Sequence, residues 1–330
     1  MKIAIVKLSA LGDIVHAMVA LQFLKAHVEN LYIDWIVEER FAGLLEYNPD
    51  INAILTVNLK GLKRNKLAIF KQYQNLKHYA ENHYDLVIDA QGLIKSAITS
   101  RLIGKRVAGF DADSIREKTA SRFYDVKINC PYEANTIDRI AKVFSQPLGF
   151  AITPEQIMAK KPFLFFKDAN PKINNFLVKD KKNIILVIGS TWPSRNYPPE
   201  KFVVVADALK QNCLVVWGNA AEKQSADWMA TQSEHIHVMP KLDLNALKTL
   251  IAQADLVIGN DTGPTHMAWG LNKPSITLFG PTPVSRVYQT PINKVLKSPS
   301  VVNPRRLNKN DFSIQEISPA SVTALAQTLF

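Results

Sequence analysis

Two successive series of short apolar runs, each run followed by helix-like periodicity, dominate this chain. In the first series, residues 2–8, 32–37, 53–57, 85–89 and 106–110 read as strands. Ile14, Val15, Met18, Val19, Leu21 and Leu24 recur after the first of them at the spacing of one helix face. A polar, lysine-rich stretch at 159–183, with Pro162, Pro171 and Lys179-Asp180-Lys181-Lys182, then interrupts the pattern and reads as a linker region. In the second series, strands are expected at 183–188, 214–217, 235–238, 255–259 and 275–279, and helices at 202–209, 221–231 and 244–252. Ser318-Pro319-Ala320 opens a last helix, with the serine as cap and the proline at the first helical position. Strand–helix alternation of this kind requires a parallel sheet covered on both faces. The chain is therefore expected to form two doubly wound, Rossmann-like α/β domains, 1–165 and 166–330, facing across a cleft, with the last helix able to pack back on the first domain. Its 330 residues suffice for two such domains.

In open α/β sheets, ligands bind outside the carboxyl ends of the strands, so the turns there decide function. The most informative is Asp261-Thr262-Gly263-Pro264-Thr265-His266, between the apolar run 254–259 and a short helix at Met267-Ala268-Trp269-Gly270. Free N–H groups at a helix start attract phosphate. An Asp/Thr cap on a glycine turn would account for the same residues. In the 189–198 turn, Ser190 and Thr191 offer hydroxyls and Arg195 a positive charge to a phosphate. Glu222 enters a helix after Trp217-Gly218-Asn219, where it could hold a sugar diol or serve only the helix terminus. Met239-Pro240-Lys241-Leu242 offers backbone to an adenine ring. The first domain opens with Leu8-Ser9-Ala10-Leu11-Gly12-Asp13, in which Asp13 is either a helix cap or a carboxylate base.

Several classes are disfavoured. No G-x-G-x-x-G and no G-x-x-x-x-G-K-[ST] occurs, which argues against NAD and Walker-type nucleotide sites. The two cysteines, Cys130 and Cys213, lie far apart, which suits a reducing compartment, and no Cys/His cluster has zinc spacing. Asp111-Ala112-Asp113 fits D-x-D only superficially, and no metal is expected there. No apolar run reaches the roughly 18 residues of a spanning helix, and the N-terminal run reads as strand and turn, not as a signal peptide. The net charge of +11 favours a polyanionic partner: nucleic acid, anionic membrane or a phosphorylated substrate. With no helix-turn-helix, RNA-binding aromatic motif or zinc finger, nucleic acid is the weaker choice.

Ser9-Ala10-Leu11-Gly12-Asp13 together with the 261–266 turn resembles glycosyltransferase family 9, the ADP-heptose transferases of lipopolysaccharide core assembly in Gram-negative bacteria, over nearly the whole chain. Ile33-Asp34-Trp35-Ile36-Val37-Glu38-Glu39, Ile88-Asp89-Ala90-Gln91-Gly92-Leu93-Ile94-Lys95-Ser96 and Ser114-Ile115-Arg116-Glu117 are most similar to its type I heptosyltransferases, with type II the nearest competitor. The resemblance implies a GT-B fold and, with no cofactor, an inverting, metal-independent transfer. The donor would be ADP-L-glycero-β-D-manno-heptose. The acceptor would be the 5-hydroxyl of the inner Kdo (3-deoxy-D-manno-oct-2-ulosonic acid) of Kdo2-lipid A.

By the same resemblance Asp13 is the catalytic base, and Ser190, Thr191, Arg195, Glu222, Leu242, Asp261, Thr262, Gly263 and His266 bind the donor. Asp261 and Glu222 are expected to orient sugar hydroxyls. Arg195 and Ser190 stand where the family more often has lysine and threonine; arginine keeps the charge and changes the hydrogen-bond geometry. Ser9 and two basic clusters would meet the acceptor: Lys60, Lys63 and Arg64 with Lys66, and Arg116 with Lys118 and Arg122. Several of these could equally form a solvated basic face. The enzyme would be a monomer, held peripherally on the cytoplasmic face of the inner membrane by about 1 kcal/mol per basic residue. A nucleotide-sugar epimerase and a basic nucleic-acid-binding module are the readings from other classes.

Overall fold

The computed structural model describes residues 1–59, 66–167 and 171–330, without the side chains of 66–68 and 171–172. The expected acceptor contacts Lys60, Lys63 and Arg64 lie outside the described residues. Two compact units form, Met1–Phe165 and Phe166–Phe330. The first holds β1 (Lys2–Val6), β2 (Tyr32–Glu38), β3 (Ala53–Val57), β4 (Leu86–Asp89), β5 (Val107–Phe110) and β6 (Val126–Ile128), all parallel in the order β3-β2-β1-β4-β5-β6. The second holds β7 (Asn183–Val187), β8 (Asn212–Val216), β9 (Ile236–Val238), β10 (Leu256–Asn260), β11 (Ser275–Phe279) and β12 (Asn293–Lys297), parallel in the order β12-β11-β10-β7-β8-β9.

The two orders are the same when each unit is counted from its own first strand. From that strand the chain winds outward on one side, then returns and winds outward on the other. The reversal opens a crevice at the carboxyl ends of the first and fourth strands. Those strands are β1 and β4 in the first unit, and β7 and β10 in the second. The turns carrying Asp13, Arg195 and Asp261 all leave from these ends.

Among the described residues, ten of the twelve strands coincide with expected apolar runs, because parallel strands covered on both faces are apolar throughout; β7, β8, β10 and β11 are buried along their whole length. The two additional strands, β6 and β12, are sheet edges. Each carries lysine, a residue that blunts strand edges and erases the apolar signal. The expected helical run after β1 is divided into Leu11–Met18 and Leu21–His27.

The stretch at 159–183 is tied down at both ends. Lys161 and Phe163 bond to Gln22 and Asn48 of the first unit, and Asn183 bonds to Val178 of the second through both its amide atoms. Ser318 caps helix Pro319–Gln327 as expected, accepting from the Ser321 N–H at 3.1 Å. That helix buries Val322 and Ala326 in the core of the second unit, against helix Pro199–Leu209 and β11. The apolar face of this helix is thus buried within its own unit.

Candidate active site

A buried asparagine locks the turns after β7 and β10 together. Asn260, the last residue of β10, accepts from the Tyr197 N–H at 2.9 Å and donates to the Ile188 carbonyl at 2.7 Å, gripping both ends of the 189–196 turn. Thr265 Oγ1 donates to the Asn260 carbonyl at 2.8 Å. Gly259 permits this approach, since a Cβ there would lie 2.5 Å from the Val187 side chain. Asn260 is absent from the expected site, although an amide ending a buried strand must find partners and so marks a constrained turn.

Asp261 is the centre of charge. Its carboxylate is buried and accepts from Arg195 Nη2 at 2.8 Å and Thr282 Oγ1 at 2.7 Å. It lies 2.9 Å from His266 Nε2 and 3.8 Å from Arg286 Nε. Burial by itself raises a carboxyl pKa. Here the Arg195 and Arg286 guanidiniums and His266 outweigh it and hold Asp261 well below the usual carboxylate range. Arg195 also donates to the Asp261 carbonyl. Asp261 thus holds Arg195 and His266, and Thr282 and Arg286 join the expected residues around it.

The simple cap reading of this turn is not what forms. Thr262 holds the cap position of helix Gly263–Gly270, but its hydroxyl makes no capping bond. The amides at that helix start are left without a side-chain cap, and the positive end of the helix adds to Arg195. Ser190 Oγ and Ser194 Oγ are buried without a hydrogen-bond partner among the described residues, an arrangement that water or a ligand normally completes. Thr191 is exposed on the same turn.

The next two strand ends add a second patch. Glu222 accepts from the Gly218 N–H at 2.7 Å and from Asn219 Nδ2 at 2.6 Å, and Asn219 caps the helix that Glu222 enters. The Glu222 carboxylate lies against Gly189, where a Cβ would come within 2.2 Å of it. Gly189→Ala is therefore expected to dislodge Glu222 while leaving the fold intact, because the displaced atoms end a flexible side chain. We expect a melting temperature near that of wild type and about tenfold weaker binding of an ADP-sugar by calorimetry, the loss of roughly one hydrogen bond to a charged group. Unchanged affinity would separate Glu222 from the ligand. Leu242 is half-buried in the turn after β9, which Trp217 fixes by donating its indole N–H to the Met239 carbonyl at 2.7 Å.

In the first unit, Asp13 is the third residue of helix Leu11–Met18 and not its cap. Its Oδ2 accepts from the Ala10 N–H at 3.2 Å, and the side chain stays half-exposed. The Ser9 N–H donates to Gln91 Oε1 at 3.1 Å, tying the turn after β1 to the turn after β4. Asp89 organises that second turn from beneath. It accepts from the Gln91 and Gly92 N–H groups at 2.8 and 3.2 Å, from Ser96 Oγ at 2.8 Å and from Tyr124 Oη at 2.7 Å. Complete burial nonetheless raises its pKa. Gly92 has φ +68°, and a Cβ there would meet Ile115 at 2.8 Å, so glycine alone suits the position.

Glu117 accepts from the Ile94 N–H at 2.8 Å and brings the loop of exposed Arg116 to the same edge. Asp111 is engaged by Ser114 and by Asn129 at 2.6 Å, and Asp113 pairs with Lys118 at 3.5 Å. The first unit thus gathers Ser9, Asp13 and the Arg116 loop at one edge. The second unit gathers Ser190, Thr191, Arg195, Glu222, Leu242 and the 261–266 turn.

Residues 71–316 match the model of glycosyltransferase family 9, described as heptosyltransferase. The chain belongs to glycosyltransferase family 9. It is 35% identical to lipopolysaccharide heptosyltransferase 1 of Campylobacter coli, with 100% of this chain and 99% of that one covered. The protein of the same name from Escherichia coli K12 is 28% identical, with 86% and 88% covered. Among solved structures, the E. coli heptosyltransferase WaaC with ADP-2-deoxy-2-fluoro heptose has a TM-score of 0.79 at 23% identity, covering 99% of both chains. E. coli ADP-heptose lipopolysaccharide heptosyltransferase II has a TM-score of 0.74 at 18% identity, with 100% and 98% covered. This family 9 member is a glycosyltransferase of the GT-B fold class, with two six-stranded parallel α/β units.

Proposed function

We propose that the protein is an inverting, metal-independent heptosyltransferase of type I. It transfers L-glycero-D-manno-heptose from ADP-heptose to the 5-hydroxyl of the inner Kdo of Kdo2-lipid A in lipopolysaccharide inner-core synthesis. The observation that carries this reading is the anion cradle of the second unit: Arg195, held by buried Asp261, beside the uncapped start of helix Gly263–Gly270. The full-length similarity to heptosyltransferase 1 of Campylobacter coli supports the choice of donor and acceptor.

Breaking the anomeric C–O bond leaves negative charge on departing ADP and positive charge on the sugar. Arg195, the Thr262 hydroxyl and the N–H groups at Gly263 and Thr265 offer stabilisation to the diphosphate. Asp261 and His266 keep Arg195 and the turn in place before substrate arrives, so little reorganisation is left for the reaction itself. Glu222 suits a ribose or heptose diol, and the turn around Leu242 suits the adenine. Asp13 takes the proton of the Kdo hydroxyl as its oxygen bonds to the anomeric carbon, a single displacement that inverts configuration. The lipid-bearing acceptor draws the enzyme to the cytoplasmic face of the inner membrane as a peripheral protein. Among the described residues no helix is long and apolar enough to cross a membrane.

Arg195→Ala is expected to raise the dissociation constant for ADP by about 10–100-fold, the value of one strong hydrogen bond to a charged group. Calorimetry with ADP, alongside a melting curve that accounts for any loss of fold, measures it. An unchanged dissociation constant would remove Arg195 from the diphosphate site.

A further inference from the structure

Two neighbouring helices of the first unit are turned inside out. Helix Ile94–Ile103 buries Ser96, Ala97, Thr99, Ser100 and Ile103, while Ile94, Ile98 and Leu102 stand exposed one turn apart. Helix Lys66–Ala80 packs beside it. There Leu76 is buried and Gln72 and Asn75 are half-buried, whereas Ile69, Phe70 and Tyr73 are 51%, 63% and 41% exposed. Positions 69, 70 and 73 share one side of a helix, and position 77 falls on the same side. Soluble proteins seldom expose this many large apolar groups on adjoining elements without a use.

Helix Lys66–Ala80 carries basic residues and no acidic one. Its described lysines, Lys71 and Lys77, are both exposed. The Lys77 ammonium lies 4.9 Å from the centre of the exposed Tyr73 ring. Apolar side chains on a helix that carries lysines and no acid match the headgroup–acyl boundary of an anionic bilayer. A second copy of the chain would bring the same positive face against itself, which charge disfavours.

We infer that the outer faces of helices Lys66–Ala80 and Ile94–Ile103 seat the first unit on an anionic phospholipid surface. Phe70, Ile69, Tyr73 and Ile98 enter the boundary region, and Lys71 and Lys77 meet the headgroups. The inference rests on the proposed function only in giving the enzyme a reason to reach a lipid surface.

Vesicle co-sedimentation tests it, with phosphatidylglycerol–phosphatidylcholine vesicles set against phosphatidylcholine alone. Wild type is expected to bind the anionic vesicles and to release as salt rises. Phe70→Asp combined with Ile98→Asp is expected to bind at least about tenfold more weakly, with unchanged ADP binding and unchanged heptose transfer to a deacylated acceptor. If the double variant unfolds, Phe70→Asp alone serves the same comparison, since Phe70 is the most exposed of the group. Equal vesicle binding by a folded variant overturns the inference. So does normal vesicle binding with a raised KM only for the acylated acceptor, which would assign the face to the acceptor's acyl chains. Vesicle binding by a wild type that transfers no heptose would leave the inference standing and count against the proposed function.

Discussion

Asp13→Asn is expected to lower the turnover of heptose transfer by about 10²–10⁴-fold, the usual worth of a positioned general base, while ADP binding stays at the wild-type level. The substitution isolates proton acceptance from structure. Asp13 accepts the Ala10 N–H at the start of its helix, and an asparagine keeps an oxygen for that bond. Losing one negative charge from the first helical turn costs about 0.3–1 kcal/mol of stability, too little to unfold the unit. The residues proposed to bind the donor lie in the second unit, so ADP affinity is expected to stay unchanged. Single-turnover rates and ADP calorimetry on the same preparation separate the two quantities. Near-normal turnover would exclude Asp13 as the base, and weakened ADP binding would point to a structural effect instead.

Asp261→Asn is expected to act on both stability and affinity. The buried carboxylate balances Arg195 and Arg286 and receives Thr282 and His266. Neutralising it strands positive charge in the interior, which costs about 3–5 kcal/mol. The melting temperature should fall by roughly 10 °C, and ADP affinity should fall with it because Arg195 loses its anchor. The dependence on pH has a definite sign. The folded carboxyl titrates below its unfolded value of about 3.9. Its contribution is therefore fully present above that value and is lost as pH falls toward the lower folded value. The gap in stability between wild type and variant should be constant from about pH 5 to 8 and narrow below about pH 4. Denaturant melts across that range measure it. Equal stability at neutral pH would mean that Asp261 is not the keystone of the cradle.

The sheet framework was legible because its central strands are apolar on both faces, and the edge strands β6 and β12 were not, because their lysines break that pattern. Helices Lys66–Ala80 and Ile94–Ile103 escaped for a related reason. Their buried sides are built largely from polar or small residues such as Ser96, Ala97 and Ser100, so amphipathic spacing points the wrong way. The turns that make up the candidate site were visible as clusters of Gly, Asp, Ser and Thr at strand ends. Who holds whom was not visible. Thr282 reaches Asp261 across 21 residues and Asn260 reaches Tyr197 across 63, contacts that depend on side-chain directions set only by the folded sheet. The 261–266 turn illustrates the difference: the sequence shows an acid at a strand end, and only the folded turn shows that acid holding the Arg195 guanidinium.

The most direct test of the account is a transfer assay with ADP-heptose and either Kdo2-lipid A or the same acceptor already bearing its first heptose. One heptose is expected on Kdo2-lipid A with release of ADP, in the presence of a metal chelator, and little or no transfer to the heptosylated acceptor. Transfer only to the heptosylated acceptor, or release of nucleotide with no heptose on either acceptor, would contradict it.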